Sequence, residues 1–350
     1  MDKLMSILQK KILLFSVLLV CNICVSAQWT LISTIDVFGN RKIPSDSILS
    51  YISLKEGDSI NPVSFKPDSI ISALKTIPGI RDVTVSPVCC DVRNGYSIYI
   101  GIAETGANLL TYRSAPKHDL RLSDDIMQSY RNFHEQVKEG AKKGEVSEEY
   151  VKGYSLLTYS AARKEQSNFI GFAKQKYPEL DKVLKHSKYA EHRAAAAQVI
   201  AYCADKKKVA ESLLYAINDP DEDVRNNATR AISILAGYLS ESPDTKVTIP
   251  ATPFIDMVNS VSWTDRNKGA MALLELTRTN DKDILEQIRK HALPSVIEMA
   301  RWKNRGHALF SLIILCRMAG EDESTIIEKN FSDNWREAVE HLLSILQYPL

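Results

Sequence analysis

Four stretches of this chain repeat one helical register, and that repetition limits the available folds more than any other feature. In the stretch 219–239, DPDEDVRNNATRAISILAGYL, the apolar residues Ala228, Ala231, Ile232 and Leu235 fall at i, i+3, i+4 and i+7, one stripe of a helix. Arg225 precedes that stripe. The same arrangement follows Arg193 (Ala196, Val199, Ile200, Cys203), Arg266 (Gly269, Ala272, Leu273, Leu276) and Arg305 (Ala308, Ser311, Leu312, Leu315). The arginines are 32, 41 and 39 residues apart. A period near 40 residues, with a small residue at the tight position, suits stacked helical hairpins, because each stripe buries only against its neighbours. A cation in the first turn of a helix opposes the helix dipole, so each arginine demands an acid or a carbonyl beside it.

The first residues read as an export signal. Lys3, Lys10 and Lys11 precede an apolar run from Ile12 to Val20, and Val25-Ser26-Ala27 supplies a small-residue cleavage pattern. Cleavage is expected after Ala27, since the run is short for a spanning helix of about 20 residues. Val20 before Cys21 and Ile23 before Cys24 argue against a lipid-modified cysteine, so the expected location is the periplasm. The signal holds three lysines and one aspartate, so the formal charge of +1 falls to −1 without it. That balance argues against nucleic acid, which calls for a basic stripe. Of the remaining cysteines, Cys203 and Cys316 lie on or beside apolar stripes and read as core residues. Adjacent Cys89 and Cys90 have no histidine near them in sequence, and their redox state is left open.

From Trp29 to Thr105 the periodicity is mixed. Leu31, Ile35 and Val37 alternate as a strand ending at Gly39-Asn40. Pro44-Ser45-Asp46 starts a helix carrying Ile48, Leu49 and Ile52; Pro67-Asp68 starts another carrying Ile70, Ile71 and Leu74, which Pro78-Gly79 stops. Val83 and Val85 read as a strand, Asn94-Gly95 as a turn, and Tyr96, Ile98, Ile100 and Ile102 as a strand with one clean apolar face. The order is β-α-α-β-β, two helices on one face of a three-stranded sheet, with the other face or an edge left for use. Residues 106–122 read as a linker. Helices resume at Ser123, and the segments 123–139, 147–163 and 166–175 are expected to form irregular hairpins that cap a helical stack over 123–186.

The repeated stretches resemble the HEAT-repeat family, with DPDEDVR carrying most of the likeness, which places an all-α solenoid over 187–350. The resemblance implies that Arg193, Arg225, Arg266 and Arg305, with Asp219 or Asp221, form a structural ladder within and between repeats; a row of anion-binding guanidiniums is the alternative. Trp263 and Trp302, each three residues before an arginine, are expected to pack between neighbouring repeats. The N-terminal segments IDVFGNRKIPSDSIL, LKEGD, ALKTIPGIRDVTV and GYSIYIGIAE resemble the polypeptide-transport-associated (POTRA) domain over 29–105, with Gly39, Gly57, Gly79 and Glu104 standing at family positions. That likeness implies capture of client or partner chains by strand addition at Arg81, Asp82, Val83, Thr84 and Val85. The chain has no run of alternating strands from which to build a β-barrel pore.

No catalytic arrangement emerges from the residues. His134-Glu135 has Lys138 where a zinc protease needs its second histidine, and no phosphate-cradling or nucleophile motif occurs. The expected function is therefore that of an envelope scaffold or adaptor, without cofactor, metal or catalysis. Its expected partners are other envelope proteins or client polypeptides, linked to outer-membrane protein assembly or transport. The segments 209–218, 254–260 and 284–299 are expected to line a concave binding side. The rival reading is a HEAT-like lyase or chaperone acting on a small ligand, which would require a deep pocket lined by His, Cys or acids.

Overall fold

Alternating apolar residues build the N-terminal sheet, and a bulge decides which of them turn inward. The structure, a computed structural model, describes residues 29–62, 64–89, 95–242, 247–330, 332 and 334–348. The segment 1–27 expected to be an export signal, and Cys90, lie outside the described residues. Strand β1 (Thr30–Phe38) runs parallel to β4 (Tyr96–Glu104), β3 (Ile80–Val88) lies antiparallel on the far side of β4, and a two-residue β2 (Ser59–Ile60) pairs with the start of β1. The order β2-β1-β4-β3 thus contains one short strand beyond the three expected. The register of β1 shifts between Ile32 and Thr34. That shift puts Ile32, and not Leu31, in the core, because a one-residue slip exchanges the faces of a strand.

Helices α1 (Ser45–Leu49) and α2 (Asp68–Leu74) cover the inner face, where Ile48, Leu74 and Ile77 pack on Ile32, Ile35, Val83, Val85, Ile98, Ile100 and Ile102. Each such side chain removed from water stabilises the fold by about 1.5–3 kcal/mol. The carboxylate of Glu104, at the end of β4, accepts the backbone N–H groups of Arg41, Lys42 and Ile43 at 2.9 Å each. Burial alone would raise its pKa, but those donors hold it below the usual carboxylate value.

The opposite face of the sheet is not left for use. All nine residues of β4 are buried, so both its faces are covered. Helices α8 (Thr252–Met257), α9 (Trp263–Leu276), α10 (Lys282–Ala300), α11 (Arg305–Ala319), α12 (Glu323–Asn330) and α13 (Trp335–Ile345) follow later in the chain. Residues 29–110, 254–270 and 280–348 make up one compact unit, and within it the sheet's second face rests on the starts of α9 and α11. Gly101 has no side chain because a Cβ there would lie 2.0 Å from the Val261 carbonyl oxygen.

The other unit, residues 111–253 and 271–279, is built on α3 (Asp124–Lys142), α4 (Ser160–His186), α5 (Ala190–Ile200), α6 (Lys206–Ala216) and α7 (Glu222–Glu241). Here the segment 147–163 departs from the helix expected of it: Glu148–Val151 and Tyr154–Leu157 form the antiparallel pair β5 and β6. Lys152 and Gly153 join them with φ of 49° and 79°, the left-handed pair that a two-residue hairpin turn requires. Within α4 the backbone breaks at Lys176 (φ −121°), two residues before Pro178, whose ring cannot sit over the preceding turn of a helix.

Residues 111–122 are strapped to this unit instead of hanging free as a linker. Arg113 N–H donates to Asn218 O (2.9 Å), the Arg113 guanidinium stacks on Tyr215 (3.4 Å), Arg121 stacks on Tyr189 (3.6 Å), and Ser187 Oγ donates to Leu120 O (2.6 Å). Cys203 and Cys316 are free and buried, whereas Cys89 is disulfide-bonded.

Candidate functional site

The two edges of the N-terminal sheet differ. Among the described residues β3, which carries Arg81, Asp82, Val83, Thr84 and Val85, closes the sheet with β4 as its one strand partner. Val83 and Val85 point into the core, and Thr84 Oγ1 donates to Val261 O at 2.5 Å on the other face. Among the described residues, no backbone group of 81–88 bonds to backbone beyond that ladder. The Val83 N–H donates to the Asp82 carboxylate at 2.9 Å. An antiparallel ladder alternates inward and outward residues, so Val83, Val85 and Pro87 are the outward set.

Side chains plug the opposite edge. Ile35 N–H donates to Glu56 Oε1 (2.8 Å), Lys303 Nζ donates to Ile35 O (3.1 Å), and Lys303 pairs with Glu56 at 2.5 Å. Ile32 exchanges hydrogen bonds with the turn before β2, its N–H to Asp58 O (2.7 Å) and its carbonyl from Gly57 N–H (2.9 Å). A strand adding here would have to displace an ion pair and two backbone bonds. At β3, among the described residues, it meets no backbone bond and one side chain, the Asp82 carboxylate held by Lys75.

Three of the four repeat arginines take similar positions. Arg193 donates to Ser187 O (2.9 Å), Arg225 to Asp219 O (2.9 Å) and Arg266 to Ser260 O (2.6 Å), each to the carbonyl six residues earlier. Arg193 also grips Asp219 with Nε and Nη2 at 2.8 and 2.7 Å. Asp221 accepts the Asp223 and Val224 N–H groups as the N-cap of α7. Arg266 pairs with Glu298 (2.8 Å), which also binds Arg41. Arg305 departs from the pattern: its Nε donates to Lys303 O, two residues earlier, and its guanidinium stacks on Trp335 at 3.3 Å. A turn beginning Lys303-Asn304, with Asn304 as N-cap, replaces the longer turn of the other three.

Trp263 and Trp302 pack on the sheet, not between helical neighbours. Their rings lie 5.3 and 4.8 Å from that of Tyr99, whose hydroxyl shares a 2.7 Å hydrogen bond with His307 Nδ1. Phe38 meets Trp302 edge-on at 5.8 Å, and Asn304 Nδ2 donates to Ser97 Oγ. Nothing local in the sequence announces this contact, because its halves lie some 160–265 residues apart. The segment 284–299, expected to line a free binding side, contributes Ser295 and Glu298 to bonds with Arg41 of the sheet region.

Asp36 is buried in the same contact, where its carboxylate accepts the Lys303 N–H at 3.2 Å. Burial raises its pKa to about 6, against the pull of that N–H and of the Lys303 and Arg305 charges. The folded value exceeds the ordinary one, so the stability gained is fully present below about pH 4 and is lost as pH rises through about 6. Asp36→Asn should therefore stabilise the chain at pH 7.5 by on the order of 2 kcal/mol. The advantage should vanish near pH 4, as read from urea midpoints of both chains at the two pH values.

Hollows lie elsewhere among the described residues. In the unit of residues 111–253 and 271–279, His134, Glu148, Gln166, Gln198, Asn227 and Arg230 line a cavity of about 40 Å³, room for about three waters. Arg230 and Glu148 satisfy each other there at 2.5 and 2.6 Å, and burial holds His134 down to about pKa 4. In the unit that holds the sheet an open groove of about 490 Å³ runs between the start of α10 and the end of α11, with Lys282, Glu286, Arg289 and Arg317 on its walls. Among the described residues no three or more His, Cys, Asp or Glu side chains gather as a metal site, and no helix is long and apolar enough to cross a membrane. No protein-family model matches the chain, and no curated protein matches it.

Proposed function

We propose that this chain is an exported interaction protein of the cell envelope, a POTRA-like sheet region joined to HEAT-type helices, which captures an extended polypeptide along β3. One observation carries the reading: of the sheet's two edges, one is plugged by Glu56 and Lys303 and the other keeps an outward backbone row. Main-chain hydrogen bonds would supply affinity, and binding alone would be the mechanism. The partners are other periplasmic envelope proteins or client polypeptides, and the helices serve as a scaffold.

Val85→Pro removes the central outward donor while keeping an apolar residue at an edge position that tolerates proline. It should abolish crosslinking of envelope partners to a photoreactive group placed at Arg81, with the helical circular dichroism retained. Crosslinks that persist unchanged in Val85→Pro would rule this route out. A matching change at the opposite edge, Ser59→Pro, should leave capture intact.

A further inference from the structure

The open edge is guarded by one side chain. Asp82 Oδ1 accepts the outward Val83 N–H at 2.9 Å, and the same oxygen is held by Lys75 Nζ at 2.9 Å. Lys75 is the C-cap residue of α2, so the carboxylate is moored to the helix layer and turned back onto its own strand. Pro87, the third outward residue, has no N–H to offer. The outward row of β3 therefore presents its donor at Val85, between a covered position and a blank one. Naturally exposed edges are blunted by such devices to prevent indiscriminate pairing.

We propose that Asp82 gates the β3 edge: an incoming strand docks on Val85 first and must draw Asp82 off the Val83 N–H to extend its pairing. The inference rests on strand addition as the function of this edge. The gate selects for its occupant. A segment that pairs with Val83 needs a carbonyl in register with both Val83 and Val85, hence an extended, proline-free stretch. Lys75 and the exposed Arg81 outnumber Asp82 at this end, so the segment that wins carries an acid there, able to take over Lys75 as Asp82 leaves. The occupant is thus an extended, acid-bearing polypeptide. An apolar strand without a carboxylate leaves the gate shut.

The test uses the full chain and three variants. In Asp82→Ala the Val83 amide should exchange with deuterium about tenfold faster, with the Val85 amide unchanged. Lys75→Ala should give a smaller increase in the same direction, and Asp82→Asn, which keeps an oxygen at the same position, should leave Val83 close to the parent rate. A blocked Asp-Thr-Val-Thr-Val peptide should bind Asp82→Ala about 3–10-fold more tightly than the parent and should protect the Val85 amide in both. An unchanged Val83 rate in Asp82→Ala overturns the gate. Failure of the peptide to bind or to protect Val85 in any of the chains, with the Val83 rate raised as expected, overturns strand addition itself and leaves the Asp82 bond a local feature of the strand.

Discussion

Asp219→Ala should lower the unfolding free energy by about 3–5 kcal/mol, because it leaves buried charge without a partner. Asp219 is fully buried and Arg193 is 2% exposed. The carboxylate accepts Arg193 Nε and Nη2 and the Asp221 N–H (2.9 Å), and Arg113 Nη2 stands 3.8 Å away. Removing it strands two guanidiniums, one of them wholly out of water, and frees the turn that Arg225 grips through the Asp219 carbonyl. Replacing both members of the pair, Asp219→Leu with Arg193→Met, should recover most of the loss, since the desolvation cost goes with the charges. Urea midpoints of the parent, the single and the double variant decide the matter. A single-variant loss below about 1 kcal/mol would show that the arginines stabilise by packing their stems, and the ladder would then lose its electrostatic basis.

Trp302→Ala should be comparably severe, about 3–5 kcal/mol, the usual cost of emptying a large aromatic site in a core. Trp302 is 2% exposed, and its ring fills the space between Phe38 and Tyr99. The site cannot collapse easily. Backbone already approaches backbone beside it, where Gly101 faces the Val261 carbonyl. Hydrogen exchange distinguishes the two possible roles of this tryptophan. If it holds the sheet against α9 and α11, amides along β4 should lose protection together with those of α11. Loss confined to the helices would mean that the ring serves helical packing alone. Tyr99→Phe, which keeps the ring and drops the bond to His307, should cost only about 1 kcal/mol.

Much of the local structure was legible because it depends on residues close together in the chain. Gly39 and Gly79 mark strand and helix ends where φ is positive (82° and 94°), and Asp221 sits where a helix needs its N-cap. The alternation of Ile98, Ile100 and Ile102 shows which side of β4 meets α1 and α2. What misled was equally local. Glu148 and Glu149 look like the first turn of a helix, yet Lys152-Gly153 in the left-handed region turns that segment into a hairpin. At β1 the bulge after Ile32 reversed the faces that simple alternation assigns.

By itself the sequence determined the order of the longer elements of the sheet region, most of their inner core and the recurring arginine-led helices, because hydrophobic period, caps and turn residues act over a few residues. The tertiary structure alone decided that Ser97, Tyr99 and Gly101 face Asn304, two tryptophans and the Val261 carbonyl, that Glu56 and Lys303 seal one edge of the sheet, and that Arg113 stands beside Asp219. Each of those contacts unites positions whose separation along the chain carries no periodic signal. A small, polar outer strand face looks identical in sequence whether water or a helix covers it, and only the packed chain distinguishes the two.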